Sequence, residues 1–379
     1  MKYFIFSVIT WGLLFGGVAS ANEVTLREKI GQMLIIGFEG KKVNNKSAII
    51  KAIDKDNIGG VILFDYNYQT KSFNNNIESP QQVQQLNSNL QQFNQRANKE
   101  HHRPALPLLI SVDYEGGNVN RLRKEYGFPE VKSAADVGKM GLFQAEQNAN
   151  IMANTLHKAG FNLDFAPLTD VNVNPDNPII AKLDRSFSSN PTEVANFSHI
   201  YSRQFLNHGV QCAYKHFPGH GSATADSHLG FVDISETWQA YELEPYQLLL
   251  NNPHACGMIM TAHIVNRQLD ESGLPATLSK KILTTHLRQQ LKFDGVIISD
   301  DMQMKAISKH YGLEQALTLA INAGVDMFIF GNQLTDTPQD PKVIIDLIET
   351  EVKSGEISQQ KIDEAYRHIV AFKHSLKNN

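Results

Sequence analysis

The sequence predicts an α/β fold, a single (β/α)₈ TIM barrel, and three observations support this prediction. Short apolar runs rich in Ile, Val, Leu and Phe recur eight times, helical patterns separate them, and 379 residues suit one large domain. Because the runs show little polar alternation, they are typical of strands buried on both faces of a parallel sheet. The runs span residues 33–38, 60–64, 108–113, 163–167, 210–217, 258–264, 296–300 and 327–331.

Helix signals occupy the intervals between these runs. Ser79 and Asn190 each precede a proline, as a capping residue precedes the first helical residue. Ser358 begins a predicted closing helix. The open doubly wound sheet is the alternative fold, but the sequence has neither a Gly-rich dinucleotide fingerprint nor a phosphate loop. Three helical patterns, including the one that begins at Asn190, end at a glycine, which is typical of helix ends: Gly160, Gly209 and Gly324.

The first 21 residues predict a secretory signal peptide. Lys2 precedes an uncharged apolar run, and Ala19-Ser20-Ala21 has the small-x-small pattern of a cleavage site. The run is short for a membrane anchor, which is the alternative interpretation, and a basic stop-transfer flank is missing. We therefore expect residues 22–379 to form the barrel of an exported protein, periplasmic or secreted, without a membrane anchor after cleavage.

Charge and cysteine content exclude several classes of protein. The chain has 35 basic and 39 acidic residues, a formal net charge of −4, so no basic excess exists to bind nucleic acid. Two cysteines, Cys212 and Cys256, exclude a disulfide framework. Both begin apolar runs; one bridge is compatible with export, but we favour two buried free thiols.

Polar residues collect where the predicted strands end, which is where a barrel of this kind places its chemistry. Burying ionisable groups is costly unless they are paired or functional, so such a cluster indicates a site. Individual members have other interpretations: Asp300 or Asp301 would suit a cap for a helix near Met304. Several of the histidines would also suit zinc, but no zinc-binding spacing is present. The cluster includes Asp113, Asp170, Arg185, Lys215, His216, His220, Asp226, His228, His263 and Asp300.

Three motifs resemble the β-N-acetylglucosaminidase branch of glycoside hydrolase family 3. The first is Lys-His-Phe-Pro-Gly-His-Gly at 215–221, followed by Asp226-Ser227-His228. The second is Asp-x-Glu-Gly-Gly-x-Val-x-Arg at 113–121, and the third is Ser-Asp-Asp-x-x-Met at 299–304. The resemblance covers about residues 25–335 and implies a single (β/α)₈ barrel.

The resemblance implies a role for each motif residue. Asp300 is the implied nucleophile, and His228, paired with Asp226, is the implied acid and base. A retaining glycosidase needs an ionised carboxylate and a proton donor about 5 to 5.5 Å apart, and a histidine titrates near working pH. Residues implied to bind the sugar are Asp113, Arg121, Arg185, Lys215 and His216.

The implied activity is a retaining β-N-acetylhexosaminidase acting on terminal β-linked N-acetylglucosamine of peptidoglycan fragments or chitooligosaccharides. We expect a monomer whose partner is this small oligosaccharide, with no metal or organic cofactor. Two enzymatic alternatives stay open on the same fold, an N-acetylglucosaminide phosphorylase and a β-glucosidase. A sugar-binding protein without catalysis is disfavoured because Asp300 and His228 are both present.

Overall fold

A computed structural model describes residues 24–335 and 337–376. The predicted signal peptide, residues 1–21, therefore lies outside the described residues. Nearly all of the predicted barrel lies within them.

Eight parallel strands close into a barrel, which confirms the predicted fold. Around the barrel their order is β1-β10-β9-β8-β7-β6-β3-β2, so each apolar run pairs with its sequence neighbours and the last strand pairs with the first. Each strand lies within its predicted run to a residue or a few, because burial on both faces requires continuous apolar sequence. The barrel strands are β1 (Leu34–Gly37), β2 (Gly60–Ile62), β3 (Leu109–Val112), β6 (Leu163–Asp164), β7 (Gln211–Phe217), β8 (Met258–Thr261), β9 (Val296–Asp301) and β10 (Met327–Phe330).

Two short strands form a hairpin outside the barrel, directly after β3. They are β4 (Tyr114–Gly116) and β5 (Val119–Asn120), and they pair antiparallel. Gly116 and Gly117 form the turn with positive φ angles of 89° and 58°, a conformation that favours glycine. The hairpin carries the second sequence motif over the end of the barrel.

Helices surround the barrel, and the predicted ends are confirmed. The Ser79 hydroxyl accepts from the backbone N–H of Gln82, and Asn190 caps its helix in the same way; Ser358 stands at the cap position without a side-chain hydrogen bond. Among the residues described, no helix is both long and apolar enough to span a bilayer. The α-helices are α1 (Leu26–Gln32), α2 (Ala48–Lys51), α3 (Pro80–Glu100), α4 (Ala134–Met140), α5 (Leu142–Ala159), α6 (Pro191–Asn207), α7 (Glu244–Leu249), α8 (Lys305–Ser308), α9 (Leu313–Ala323), α10 (Pro341–Ser354) and α11 (Gln359–Ser375). Two π-helical segments, Ala52–Asp56 and Lys281–Gln290, and three short 3₁₀ turns complete the set.

The cysteines form a disulfide between Cys212 and Cys256, so the favoured interpretation of two free thiols was wrong. Cys212 lies in β7, and Cys256 lies two residues before β8, the strand that pairs with β7. Neighbouring parallel strands place the two Cα atoms 4.9 Å apart, within the range that a disulfide spans. The sequence separation of 44 residues hid this proximity.

The N-terminal end of the barrel contains buried charged groups. The Lys373 ammonium of α11 donates to Gln32 Oε1 and to the Gly59 carbonyl, both at 2.7 Å. Burial lowers the pKa of Lys373 to about 7. Nearby, Asp326 accepts from Arg288 at 2.5 Å and from His368 Nδ1 at 2.8 Å. These contacts join α11 to the strand ends and the loops beneath the barrel.

Candidate active site

A cavity of about 340 Å³ opens at the carboxyl ends of the barrel strands. Its inner surface consists of apolar residues in or directly after even-numbered strands: Ile62, Phe165, Met260 and Ile329. Four of the predicted site residues also line it: Asp113, Arg121, His228 and Asp300. The sequence motifs thus converge on one space that suits a small ligand.

Asp300 lies near the end of β9 and faces this cavity. Burial raises its pKa, but electrostatic interactions with His216, His263 and His228 lower it more, to about 2. Its Oδ1 also accepts the backbone N–H of Asp301 at 2.8 Å. Asp300 is therefore ionised across the physiological pH range, as a carboxylate nucleophile must be.

His228 and Asp226 lie in the long loop that follows β7. His228 Nδ1 donates to Asp226 Oδ1 at 2.8 Å, and the same oxygen accepts the backbone N–H of His228, also at 2.8 Å. Burial lowers the pKa of His228, whereas the Asp226 bond and the charges of Asp300 and Asp226 raise it above its usual value. Since Nδ1 is held by a carboxylate, Nε2 is the nitrogen left to exchange a proton.

Backbone hydrogen bonds join this loop to the helix that follows Asp300. The Ser227 carbonyl accepts from Ala306 N at 3.2 Å, and the His228 carbonyl accepts from Lys305 N at 3.4 Å. Both donors begin α8, a few residues after β9. The two candidate catalytic residues are thus held in register although 72 positions separate them in sequence.

A buried ion cluster supports the other side of the cavity. Lys215 Nζ lies 2.9 Å from Asp113 Oδ1 and 2.7 Å from Glu115 Oε1. Arg185 makes a bidentate pair with Glu115, with both distances 2.8 Å. Burial raises the pKa of Glu115, but the charges of Arg185 and Lys215 lower it by more, so that the net pKa is about 2. The cluster therefore fixes Asp113 at the cavity wall through Lys215.

A second buried pair holds His216 at the end of β7. His216 Nδ1 lies 2.7 Å from Asp170 Oδ2, while the backbone N–H groups of His216 and His220 donate to Asp170 Oδ1 at 3.2 and 2.8 Å. Burial raises the pKa of Asp170, and the charge of His216 and their hydrogen bond lower it below its usual value. Asp170 thereby orients the imidazole whose charge most strongly favours ionised Asp300.

Asp301, rather than Asp300, bonds to the turn before α8. Its Oδ1 accepts from Gln303 N at 3.0 Å, and its Oδ2 accepts from Gly331 N at 3.3 Å. Burial and the neighbouring Asp300 charge raise the pKa of Asp301 to about 7. In the part of the chain that the structure describes, no group of three or more His, Cys, Asp or Glu side chains could hold a metal ion.

Four predicted site residues, Arg185, Lys215, His216 and Asp226, bond to other side chains around the cavity. Their predicted roles stay predictions. The sequence interpretation did not include Glu115 as a site residue, although it lies in the second motif between Asp113 and Arg121. It also missed the cavity-lining aromatic residues of the Asn-rich loop after β2, where no motif marks them: Tyr66 and Phe73.

Comparisons with known proteins identify similar sequences. The family model described as glycosyl hydrolase family 3 N terminal domain matches residues 25–372. Beta-hexosaminidase A of Pseudoalteromonas piscicida is 32% identical over 340 residues, which is 82% of this chain and 54% of the relative. A beta-hexosaminidase of Shewanella frigidimarina is 36% identical over 73% of this chain and 75% of its own.

A solved structure is also similar. The glycoside hydrolase family 3 beta-N-acetylglucosaminidase from Paenibacillus sp. str. FPU-7 superposes with a TM-score of 0.82 and 32% identity. The match covers 94% of this chain and 63% of that one. The chain therefore spans just over half the length of the Pseudoalteromonas relative and under two thirds of the Paenibacillus protein.

Proposed function

We propose that this chain, which belongs to glycosyl hydrolase family 3, is a retaining β-N-acetylhexosaminidase. Its substrates would be peptidoglycan fragments or chitooligosaccharides with a terminal β-linked N-acetylglucosamine. The names of the similar proteins support this activity. The observation that carries the proposal is the pairing, in one cavity, of an ionised Asp300 with a His228 whose pKa is raised by Asp226.

In the first step, an Asp300 carboxylate oxygen attacks the anomeric carbon as the glycosidic bond breaks. The leaving oxygen takes the proton of His228 Nε2, so the leaving sugar departs as a neutral alcohol. Asp226 remains ionised and stabilises the His228 imidazolium before the proton is transferred. The products of this step are a glycosyl ester on Asp300 and a neutral His228.

In the second step, His228 accepts a proton from a water molecule as the water oxygen attacks the anomeric carbon. The ester bond to Asp300 breaks, and its electron pair returns to the carboxylate. N-Acetylglucosamine leaves with the β configuration because the anomeric centre is inverted twice. His228 is protonated again, so both residues return to their starting states.

Residues of the ion cluster would hold the terminal sugar. Asp113 accepts hydrogen bonds from sugar hydroxyls, while Arg121 beside it, 4.0 Å from Asp113 Oδ2, donates. Lys215 donates two of its three N–H groups to Asp113 and Glu115, and the third can donate to a ligand. Arg185 uses its guanidinium on Glu115 and the Ile179 carbonyl, so it acts by holding Glu115.

We also propose that the protein is exported. The apolar segment at residues 1–21 and the Cys212–Cys256 disulfide support this proposal, since disulfides persist mainly in oxidising compartments.

The experiment is product analysis by proton NMR with di-N-acetylchitobiose and an anhydromuropeptide disaccharide. From the anhydromuropeptide disaccharide, whose leaving sugar has no free anomeric hydroxyl, we expect β-N-acetylglucosamine to appear first and to mutarotate later. In a separate assay, an aryl β-N-acetylglucosaminide should be turned over in preference to the matching aryl β-glucoside, which distinguishes this activity from that of a β-glucosidase. Initial release of the α anomer from the anhydromuropeptide disaccharide would contradict retention, and accumulation of a glycosyl phosphate in phosphate buffer would favour the phosphorylase instead.

A further inference from the structure

The outer part of the cavity has a wall that the two catalytic steps do not use. Loop residues form this part, in contrast to the strand residues at the inner end. Tyr66 and Phe73 come from the connection between β2 and α3, and Arg123 comes from the segment after the hairpin. We call these three residues the aromatic wall.

Phe73 is exposed to an unusual degree for a residue of a cavity. Its side chain is 57% exposed, although it lines the same space as Asp300 and His228. The Tyr66 ring meets it edge to face at 5.2 Å, and the Arg123 guanidinium lies 4.5 Å from its ring centroid. With both neighbours in place more than half of Phe73 is still exposed, so ring surface is available to a ligand.

Hydrogen bonds hold the loop of the aromatic wall in place. Asn67 and Ser72 exchange backbone bonds of 2.7 and 3.2 Å across a tight turn. Asn75 donates from its backbone to Asp65 at 3.2 Å and from its side chain to the Tyr66 carbonyl at 3.3 Å. Because these bonds hold the backbone that carries the two rings before a ligand arrives, binding costs little ordering of the loop.

Charge at the aromatic wall is balanced within the protein. Arg123 Nε donates to the fully buried Asp65 at 2.5 Å, so the guanidinium has a carboxylate partner of its own. The wall therefore offers an aromatic surface backed by a neutralised pair. This chemistry suits the apolar face of an uncharged pyranose ring, since aromatic side chains contribute through contact area and geometry.

We propose that the aromatic wall is the subsite for the sugar on the leaving-group side of the scissile bond, and that it binds the ring face of a neutral N-acetylhexosamine. This inference rests on the proposed function. The terminal sugar must reach Asp300 at the strand ends. The remainder of the bound oligosaccharide therefore extends outward between the loops. His228, which protonates the leaving oxygen, lines the same cavity as Phe73.

The test compares two substrates with the full-length Phe73→Ala variant. Di-N-acetylchitobiose has a second sugar ring, whereas β-N-acetylglucosaminyl fluoride has a single atom as its leaving group. We expect kcat/KM for the disaccharide to fall about tenfold, mainly through KM, and that for the fluoride to stay unchanged. Phe73→Trp should keep most of the disaccharide activity because it retains an aromatic face.

Phe143→Ala is the matched control. Phe143 is 70% exposed near the start of α5 and does not line the cavity, so neither substrate should be affected. Equal losses on both substrates with Phe73→Ala, or an unchanged rate on the disaccharide, would contradict the subsite. If the unaltered protein hydrolysed neither substrate, the proposed function would fail, and the subsite with it.

Discussion

The two ends of the barrel both contain buried charged groups, but their hydrogen bonding differs. At the N-terminal end, Asp326 accepts bonds on both oxygens, from Arg288, His368 and the backbone N–H of Ile297. At the C-terminal end, Asp300 accepts one bond on Oδ1, and its second oxygen accepts none from the described residues. A fully bonded carboxylate stabilises the fold, whereas a partly bonded one beside a cavity is available to a substrate.

Burial of charge alone therefore does not distinguish a catalytic group from a structural one. Lys373 and Asp326 are almost fully buried, as are Lys215 and Glu115 at the other end. A neighbouring cavity does not distinguish them either, because Asp326, Arg288 and His368 line a cavity of about 430 Å³ at the N-terminal end. What separates the ends is that both oxygens of Asp326 accept hydrogen bonds, whereas Asp300, which lines a cavity together with His228, accepts a bond on only one oxygen from the described residues.

Asp300→Asn should have the largest effect. Loss of the anionic nucleophile should reduce kcat/KM on an aryl β-N-acetylglucosaminide by about 10⁴-fold, with little change in the thermal unfolding midpoint. Steady-state kinetics and calorimetry on the same preparation measure both quantities. Turnover close to that of the unaltered protein would remove Asp300 from the role of nucleophile.

Asp326→Leu should produce the opposite outcome at the other end. Removing this carboxylate leaves Arg288 and the Ile297 N–H without their buried partner, so the free energy of unfolding should fall by about 3–5 kcal/mol. The kcat/KM of the folded protein should stay unchanged. Denaturant titration with parallel kinetics measures both, and a selective loss of activity without loss of stability would break the comparison.

Removal of the disulfide should also lower the free energy of unfolding without affecting activity, but by a smaller amount. The Cys212→Ala, Cys256→Ala double variant loses a link that closes a 44-residue separation, so unfolding should cost about 2–4 kcal/mol less. The kinetic constants should not change because neither cysteine lines the cavity. An unaltered denaturation curve would argue against the bridge, as would two free thiols in a thiol titration of the unfolded, unreduced protein.

Asp226→Asn should have the smallest effect and should appear in the pH profile. The carboxylate raises the pKa of His228 by bonding to Nδ1, so its removal lowers that pKa. Activity that needs protonated His228 is present below this pKa and is lost above it. The alkaline limb of kcat/KM should therefore move to lower pH, for a substrate with a poor leaving group. A limb that did not move would assign the titration to another group.

Elements with local signals could be predicted from the sequence. All eight strands match their apolar runs, and the cap positions at Ser79, Asn190 and Ser358 lie at real helix ends. The sequence also predicted that the motifs converge at one end of the barrel, because the carboxyl ends of the strands lie together there. Glu115 was not assigned a role, because its partners Arg185 and Lys215 are 70 and 100 positions away.

The sequence alone thus determined the barrel and the residues of its motifs, since apolar periodicity and helix caps act over a few neighbouring positions. Only the tertiary structure decided the Cys212–Cys256 bond, the Glu115 ion cluster and the place of Tyr66 and Phe73 at the cavity. The physical reason is shared by all three. Each depends on which residues from distant segments come within bonding distance, and closure of the barrel sets that distance.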